Sequence, residues 1–388
     1  MTASEPGEPA GLWLVGARGS VATTAVTGLL ALKAGIIEPT GCVSAQVPFD
    51  QAHLAGWDDW RVGGHDVVPT PLAKRAEQLA EAGVIQYRVL EAVREPLAEV
   101  ETQLCDGYQP ATHRGSQADA VQRMATDIAE FAERHALARV VVVNVASTEP
   151  EFPVLPEHGT VAALDAAITE PGRVALPPSS VSAYAALRAG CSYVDFTPST
   201  GIRLPALQQL AAQRKLPYAG SDGKTGETLV RSALAPMFTS RALTVRSWAG
   251  TNLLGGGDGR TLADSDHAGS KLASKTRGLA ALLGGEVTAP LHIDDVPDLG
   301  ERKTAWDHVS FEGFLGAKMS LQFTWTGYDS ALAAPLVLDL ARFTAAAHDA
   351  GQSGPLGALA FFFKDPLGAD DHRLAEQFVA LRDWATSL

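Results

Sequence analysis

Cysteine is scarce in this chain. The three present, Cys42, Cys105 and Cys191, are far apart, odd in number and free of CxxC or zinc-type spacing. That argues against a disulfide framework or a thiolate metal site and fits a reducing, cytoplasmic setting. Positive charge is also short: Lys and Arg total 31 against 44 Asp and Glu, a formal net charge of −13. There is no basic stripe for nucleic acid, and no general attraction to an anionic membrane is expected. No apolar run reaches the roughly 18 residues that span a bilayer. The opening MTASEPGEPA is polar and acidic, unlike a signal peptide. Internal repeats are lacking. So are His/Asp/Glu clusters at metal-ligand spacing, and HIDD (His292 to Asp295) reads as a surface strand end, so no metal-ligating residues are assigned.

What is there is a chain of 388 residues, 46% hydrophobic, long enough for two domains or for one with a large insertion. GLWLVGARGSVATTAVTGLLALKAG reads as a buried strand (Leu12 to Val15), a glycine turn and an apolar helix ending near Gly35. GCVSAQVP, residues 41–48, reads as the second strand. TPLAKRAEQLAEAGVI and DAVQRMATDIAEFAERHAL are amphipathic helices. ARVVVVNVAST is an apolar strand breaking into a polar tip, the pattern of a buried parallel strand whose carboxyl end meets ligand. SAYAALRAGCSYVDFTPST and PALQQLAAQRKLPYAGSDGKTGET repeat helix, strand and polar tip. After residue 228 the texture changes to strands such as ALTVRSWAGTNLL and KMSLQFTWTG, followed by the apolar helix SALAAPLVLDLARFTAAAHDAG. The fold class expected is α/β. A doubly wound parallel sheet would span 10–228, an inserted α+β unit 229–329, and a return to the first domain 330–388.

Gly16, Gly19 and Ala22 form G-x-x-G-x-x-A. Gly16 permits the tight turn, a helix beginning near Ser20 offers N–H groups to a pyrophosphate, and Arg18 could add a cation. An ordinary strand–turn–helix would look the same. The acidic residue for the ribose hydroxyls is Asp50 or Asp66, and spacing does not choose between them. GSKLASKTRG sets Lys271 and Lys275 one helical turn apart in a chain that uses lysine sparingly. Such a pair suits a pocket for an anionic small molecule, although a solvated helix face is the commoner fate of lysine.

Nine segments, in order, carry a resemblance to a known family: LVGARGSVATT, VGGHD, VASTE, AGSDGKTGET, GTNLLGGGDG, GSKLASK, GERKTAWDH, YDSALAAPLVLDL and FFFKDPL. With them the chain, from about residue 11 to about 368, resembles myo-inositol-1-phosphate synthase, also called inositol-3-phosphate synthase. The resemblance implies a Rossmann domain with an inserted catalytic and oligomerisation domain, and a homotetramer, or a dimer, built through the inserted sheet. It implies NAD used catalytically and an isomerase-type cyclisation of a sugar phosphate. Glucose 6-phosphate would be oxidised at C5, deprotonated at C6, closed by an intramolecular aldol step onto C1 and reduced again at C5. By resemblance, Lys271 serves proton transfer or oxyanion stabilisation and Lys275 binds phosphate. Lys303 and Lys364 hold charge on the C5 and C1 oxygens, and Asp329 lies near the nicotinamide. Asp222, Lys224 and Thr225 form a loop that meets substrate, Asp222 also facing cofactor, and Asn252 lies beside substrate. Gly16, Arg18, Gly19, Ser20, Val21, Asp66, Ala146, Ser147 and Thr148 line NAD. The chemistry asks for such groups, since enolates and aldolates are oxyanions that fixed cations stabilise in a dry site.

Three departures stand out. Arg18, Ser20, Val21 and Ala22 replace the family's Gly and Asn in the turn, so pyrophosphate contacts must differ. Ser147 stands where the family has Asn. Gly256 and Gly257 replace two asparagines at a sugar-reading site, and lost amide groups change which hydroxyl pattern is preferred. A rival substrate is therefore fructose 6-phosphate, closed by the same chemistry to a five-membered cyclitol phosphate. Two rival classes are a dehydrogenase with net redox and a non-enzymatic NAD-binding regulator. The lysine set without a catalytic His or Cys motif argues against the first. Retention of all four matching lysines argues against the second.

Overall fold

The computed structural model describes residues 8–255, 279, 282–285 and 287–388. Its strands are β1 (Ala10–Val15), β2 (Trp60–Asp66), β3 (Leu104–Asp106), β4 (Arg139–Asn144), β5 (Ser192–Asp195), β6 (Pro217–Gly220), β7 (Thr244–Leu254), β8 (Leu291–Asp295), β9 (Lys303–Glu312), β10 (Lys318–Gly327) and β11 (Gly354–Pro355). The helices are α1 (Ser20–Lys33), α2 (Leu72–Glu81), α3 (Tyr87–Ala92), α4 (Arg94–Glu101), α5 (Gln117–Arg134), α6 (Val161–Ile168), α7 (Pro178–Arg188), α8 (Pro205–Gln213), α9 (Gly226–Ser240), α10 (Asp329–Asp349) and α11 (Leu374–Ala385).

Seven strands form a sheet in the order β11-β6-β5-β4-β1-β2-β3, parallel throughout. This is a Rossmann-like doubly wound sheet, as expected. The central strands β1 and β4 are largely apolar on both faces because helices cover both. Leu12 and Leu14 face a layer with α1, α2 and α10, while Trp13 between them faces α5, α7 and α8. The second sheet has the order β10-β9-β7-β8, with β9 antiparallel to both of its neighbours. Phe238 of α9 packs with Trp248 of β7 and Val309 of β9 to form a small separate core.

Two expectations need correction. Residues 41–48 are not a strand. They hold two short 3-10 turns, Val43–Ala45 and Val47–Phe49, and the second strand is Trp60–Asp66. Pro48 has no N–H to give a ladder. The N–H groups of Val43 and Ser44 donate instead to the Asp339 carboxylate on α10, at 2.7 and 3.0 Å. The second correction concerns apolar runs. Asp339 and Arg342 interrupt α10 in sequence, yet this 21-residue helix is long and apolar enough to cross a membrane by length and composition. Here 72% of its apolar stretch is buried inside the fold, and it packs against α1.

Candidate functional site

A cavity of about 770 Å³ opens at the carboxyl ends of β1 and β4, where the strand order reverses. Ligands bind there in open α/β sheets. Gly16, Asp66 and Ala146 line one side; Lys303 and Asp329, from the start of β9 and the start of α10, line another. Gly16 has φ +83°, and a Cβ there would lie 2.7 Å from Ala146 Cα. Only glycine lets the turn pass so close to the β4 loop. α1 begins after Gly19 with no side-chain cap and no acidic residue in its first turn. Its first N–H groups therefore face the cavity ready for an anion.

Asp66, in the cavity wall at the end of β2, accepts from the Arg18 N–H at 2.6 Å and the Val68 N–H at 2.7 Å. Asp50 is exposed, outside that wall, so the geometry favours Asp66 for ribose hydroxyls. Arg18 lines the cavity, but its guanidinium is committed to Glu101, with Nη2 at 2.7 Å and Nε at 3.1 Å. Ser20, Val21 and Ser147 also line the cavity, whereas Thr148 does not. His65 accepts from Trp13 Nε1 at its Nδ1 (2.9 Å), so its proton sits on Nε2, toward Asp127 (3.0 Å). Burial, which outweighs Asp127, keeps this imidazole below its usual pKa. An open helix start, a close-approach glycine and an acidic residue at the end of β2 fit a dinucleotide.

The lysines fall into pairs. Lys303 Nζ is 3.0 Å from Asp329 Oδ2. Lys364 Nζ is 2.7 Å from Asp222 Oδ1, and both side chains are nearly buried. Gly226, four residues beyond Asp222, comes close to the first pair: a Cβ on it would lie 3.2 Å from Asp329 Oδ1. Residues 221–224 are zipped to 362–365 by backbone bonds, including Lys364 N–H to the Asp222 carbonyl at 2.7 Å. Lys224 is 5% exposed, and its ammonium donates to Gln377 Oε1 at 2.6 Å. Burial, with the Lys364 charge second, lowers its pKa to about 8. Thr225 stands at the start of α9 without a side-chain capping bond.

Asn252 is buried, and its amide donates to Glu227 at 2.8 Å. Glu227 pairs with Arg231, whose Nε meets Asp307 at 3.0 Å. Asn252, Asp222, Lys224, Thr225 and Lys364 do not line the cavity. Lys271, Lys275, Gly256 and Gly257 lie outside the described residues. Sequence reasoning missed Arg75, Glu301 and Glu149, which do line it. Arg75 looks like any charge on an amphipathic helix, while Glu301 stands in plain view in GERK. Glu149 in VASTE holds the start of α7 by accepting from Ser179 N–H at 2.7 Å. Burial raises its pKa, and the Ser179 bonds oppose that.

Comparison with known proteins gives a consistent result. An NAD-binding family model described as myo-inositol-1-phosphate synthase matches residues 10–386. Inositol-3-phosphate synthase 1 of Bacteroides thetaiotaomicron is 31% identical over 94% of this chain and 90% of its own length. The solved inositol-3-phosphate synthase of Caenorhabditis elegans has a TM-score of 0.87 at 24% identity, covering 98% of this chain and 86% of that one. A myo-inositol-1-phosphate synthase-related protein of Thermotoga maritima has a TM-score of 0.77 at 24% identity, covering 97% and 98%. At that identity the two structures speak to fold.

Proposed function

The chain belongs to the NAD-dependent myo-inositol-1-phosphate synthase family of enzymes, and from that premise we propose that it cyclises glucose 6-phosphate to an inositol phosphate without net redox. The observation that carries this reading is a single cavity whose wall holds both the nucleotide turn and the Lys303–Asp329 pair.

The chemistry asked of the cofactor is removal of a hydride from C5 of the sugar and its later return. A C5 ketone acidifies C6, which loses a proton to a base and attacks the C1 aldehyde. One C–C bond forms, and the C1 oxygen becomes an alkoxide that takes up a proton. Lys303, held by Asp329, and Lys364, held by Asp222, supply fixed cations for the C5 and C1 oxygens. Lys224, with a pKa of about 8, is partly neutral in mild alkali and can handle a proton or a phosphate. Lys271 takes the proton-transfer role and Lys275 the phosphate by their match to the family segment. Assembly as a homotetramer, through the partly exposed face of the second sheet that carries Trp306, completes the reading.

Phosphorus NMR and mass spectrometry after incubation with NAD and glucose 6-phosphate test it. An inositol phosphate without NADH build-up is expected. Gly256 and Gly257 favour a second substrate, fructose 6-phosphate, giving a five-membered cyclitol phosphate. A product from fructose 6-phosphate alone would select that reading.

A further inference from the structure

We propose that Arg75 is the side chain that grips the cofactor's pyrophosphate, and that Glu301 is the partner it releases to do so. The departures in the glycine turn leave a question of which cation meets the phosphates. Arg18 is the candidate by sequence, but Glu101 takes two of its nitrogens and the Val68 carbonyl a third. Its fork is already filled.

Arg75 comes from a different element, α2, and reaches the start of α1. Its Nη2 donates to the Ser20 hydroxyl, on the first residue of α1, and to Glu301 Oε1 at 2.8 Å. Its Nη1 donates to Gln78 Oε1 at 3.0 Å. Arg75, Ser20, Gln78 and Glu301 all line the cavity. The guanidinium thus stands beside the open N–H groups of α1, where no acidic side chain occupies the first turn. An anion bound at that helix start lies within reach of a planar fork suited to two phosphate oxygens. The carboxylate now on the fork belongs to the strand-entry loop of the second sheet, two residues before Lys303.

The exchange is favourable on physical grounds. Arg75 meets Glu301 through one nitrogen, where Arg18 meets Glu101 through two, and a partly solvated single contact holds weakly. A pyrophosphate brings two charges and more acceptor atoms than one carboxylate. Glu301 competes with the cofactor, so removing its charge tightens nucleotide binding, but only while Arg75 is present.

The proposal rests on the cavity being the NAD site and not on the identity of the sugar. The test uses the full chain without sugar phosphate. NAD and ADP-ribose are titrated by calorimetry, and adenosine, which lacks the pyrophosphate, by ligand-observed NMR. Arg75→Ala should weaken NAD and ADP-ribose about 10- to 100-fold, the loss of hydrogen bonds to a charged group, and leave adenosine unchanged. Arg75→Lys should recover part of the loss. Glu301→Gln should tighten ADP-ribose in the wild-type background and do nothing with Arg75→Ala. Unchanged ADP-ribose binding by Arg75→Ala overturns the proposal, as does an equal loss for adenosine. Wild-type protein that bound neither nucleotide would overturn the cofactor site and the proposal together. Wild-type protein that binds NAD but makes no inositol phosphate would count only against the reaction.

Discussion

Lys303 and Asp329 begin two different elements, the strand β9 and the helix α10, and meet at 3.0 Å in the wall of the nucleotide cavity. The antiparallel pairing of β9 with β10, with Lys303 opposite Gly327, brings the two starts together. The pair therefore depends on the register of the second sheet. Lys303→Ala should lower kcat by about 10²–10³-fold, the usual effect of losing one oxyanion-stabilising group. Asp329→Asn should lower kcat and also weaken NAD. Steady-state kinetics beside NAD titration separates the two.

Asp222 and Lys364 are nearly buried partners. Asp222→Asn leaves an ammonium without its counter-charge and should cost about 3–5 kcal/mol, as breaking one side of a buried pair does. Adding Lys364→Met should restore much of the stability but none of the activity. Urea unfolding of both single variants and the double variant checks this.

Lys224 gives the fold a pH signature. Its folded pKa, about 8, lies below the 10.5 of a solvated lysine. Between those values the unfolded chain binds more protons than the folded one, so stability rises with pH across that window. Below about pH 8 the burial penalty is fully felt; above about 10.5 it is gone. Unfolding midpoints followed from neutral pH into that window should rise in the wild type, and Lys224→Met should remove that part of the slope.

The ribose contact proposed for Asp66 predicts a cofactor preference. A 2′-phosphate placed against this carboxylate would meet like charge, and Arg18 is held by Glu101. NADP should bind more weakly than NAD, and Asp66→Ser should narrow the gap. Parallel titration of both cofactors with both proteins measures it.

The first βα unit is legible because LWLV followed by a glycine and an apolar helix admits few other folds. The second strand is not. WRVGGHD holds two glycines, an arginine and a histidine, while GCVSAQVP looks more apolar. The structure explains the inversion. A Cβ on Gly64 would sit 2.4 Å from the Leu14 carbonyl oxygen, so the strand next to β1 needs glycine there. Asp339, 295 residues from Ser44 in sequence, holds the more apolar segment out of the sheet. No local pattern records such a partner. The lysines are legible through motif resemblance alone, and nothing in those motifs pairs them with their aspartates. Arg75 and Glu301 escape because their meeting depends on two sheets converging.

The central claim is that the hydride leaves C5 and returns to the same molecule. Glucose 6-phosphate deuterated at C5, incubated with NAD at well below the sugar concentration, tests it directly. The account predicts an inositol phosphate that keeps the deuterium, in amounts exceeding the NAD present, with no NADH build-up. Deuterium transferred to the nicotinamide, with NADH formed in step with product, would contradict it.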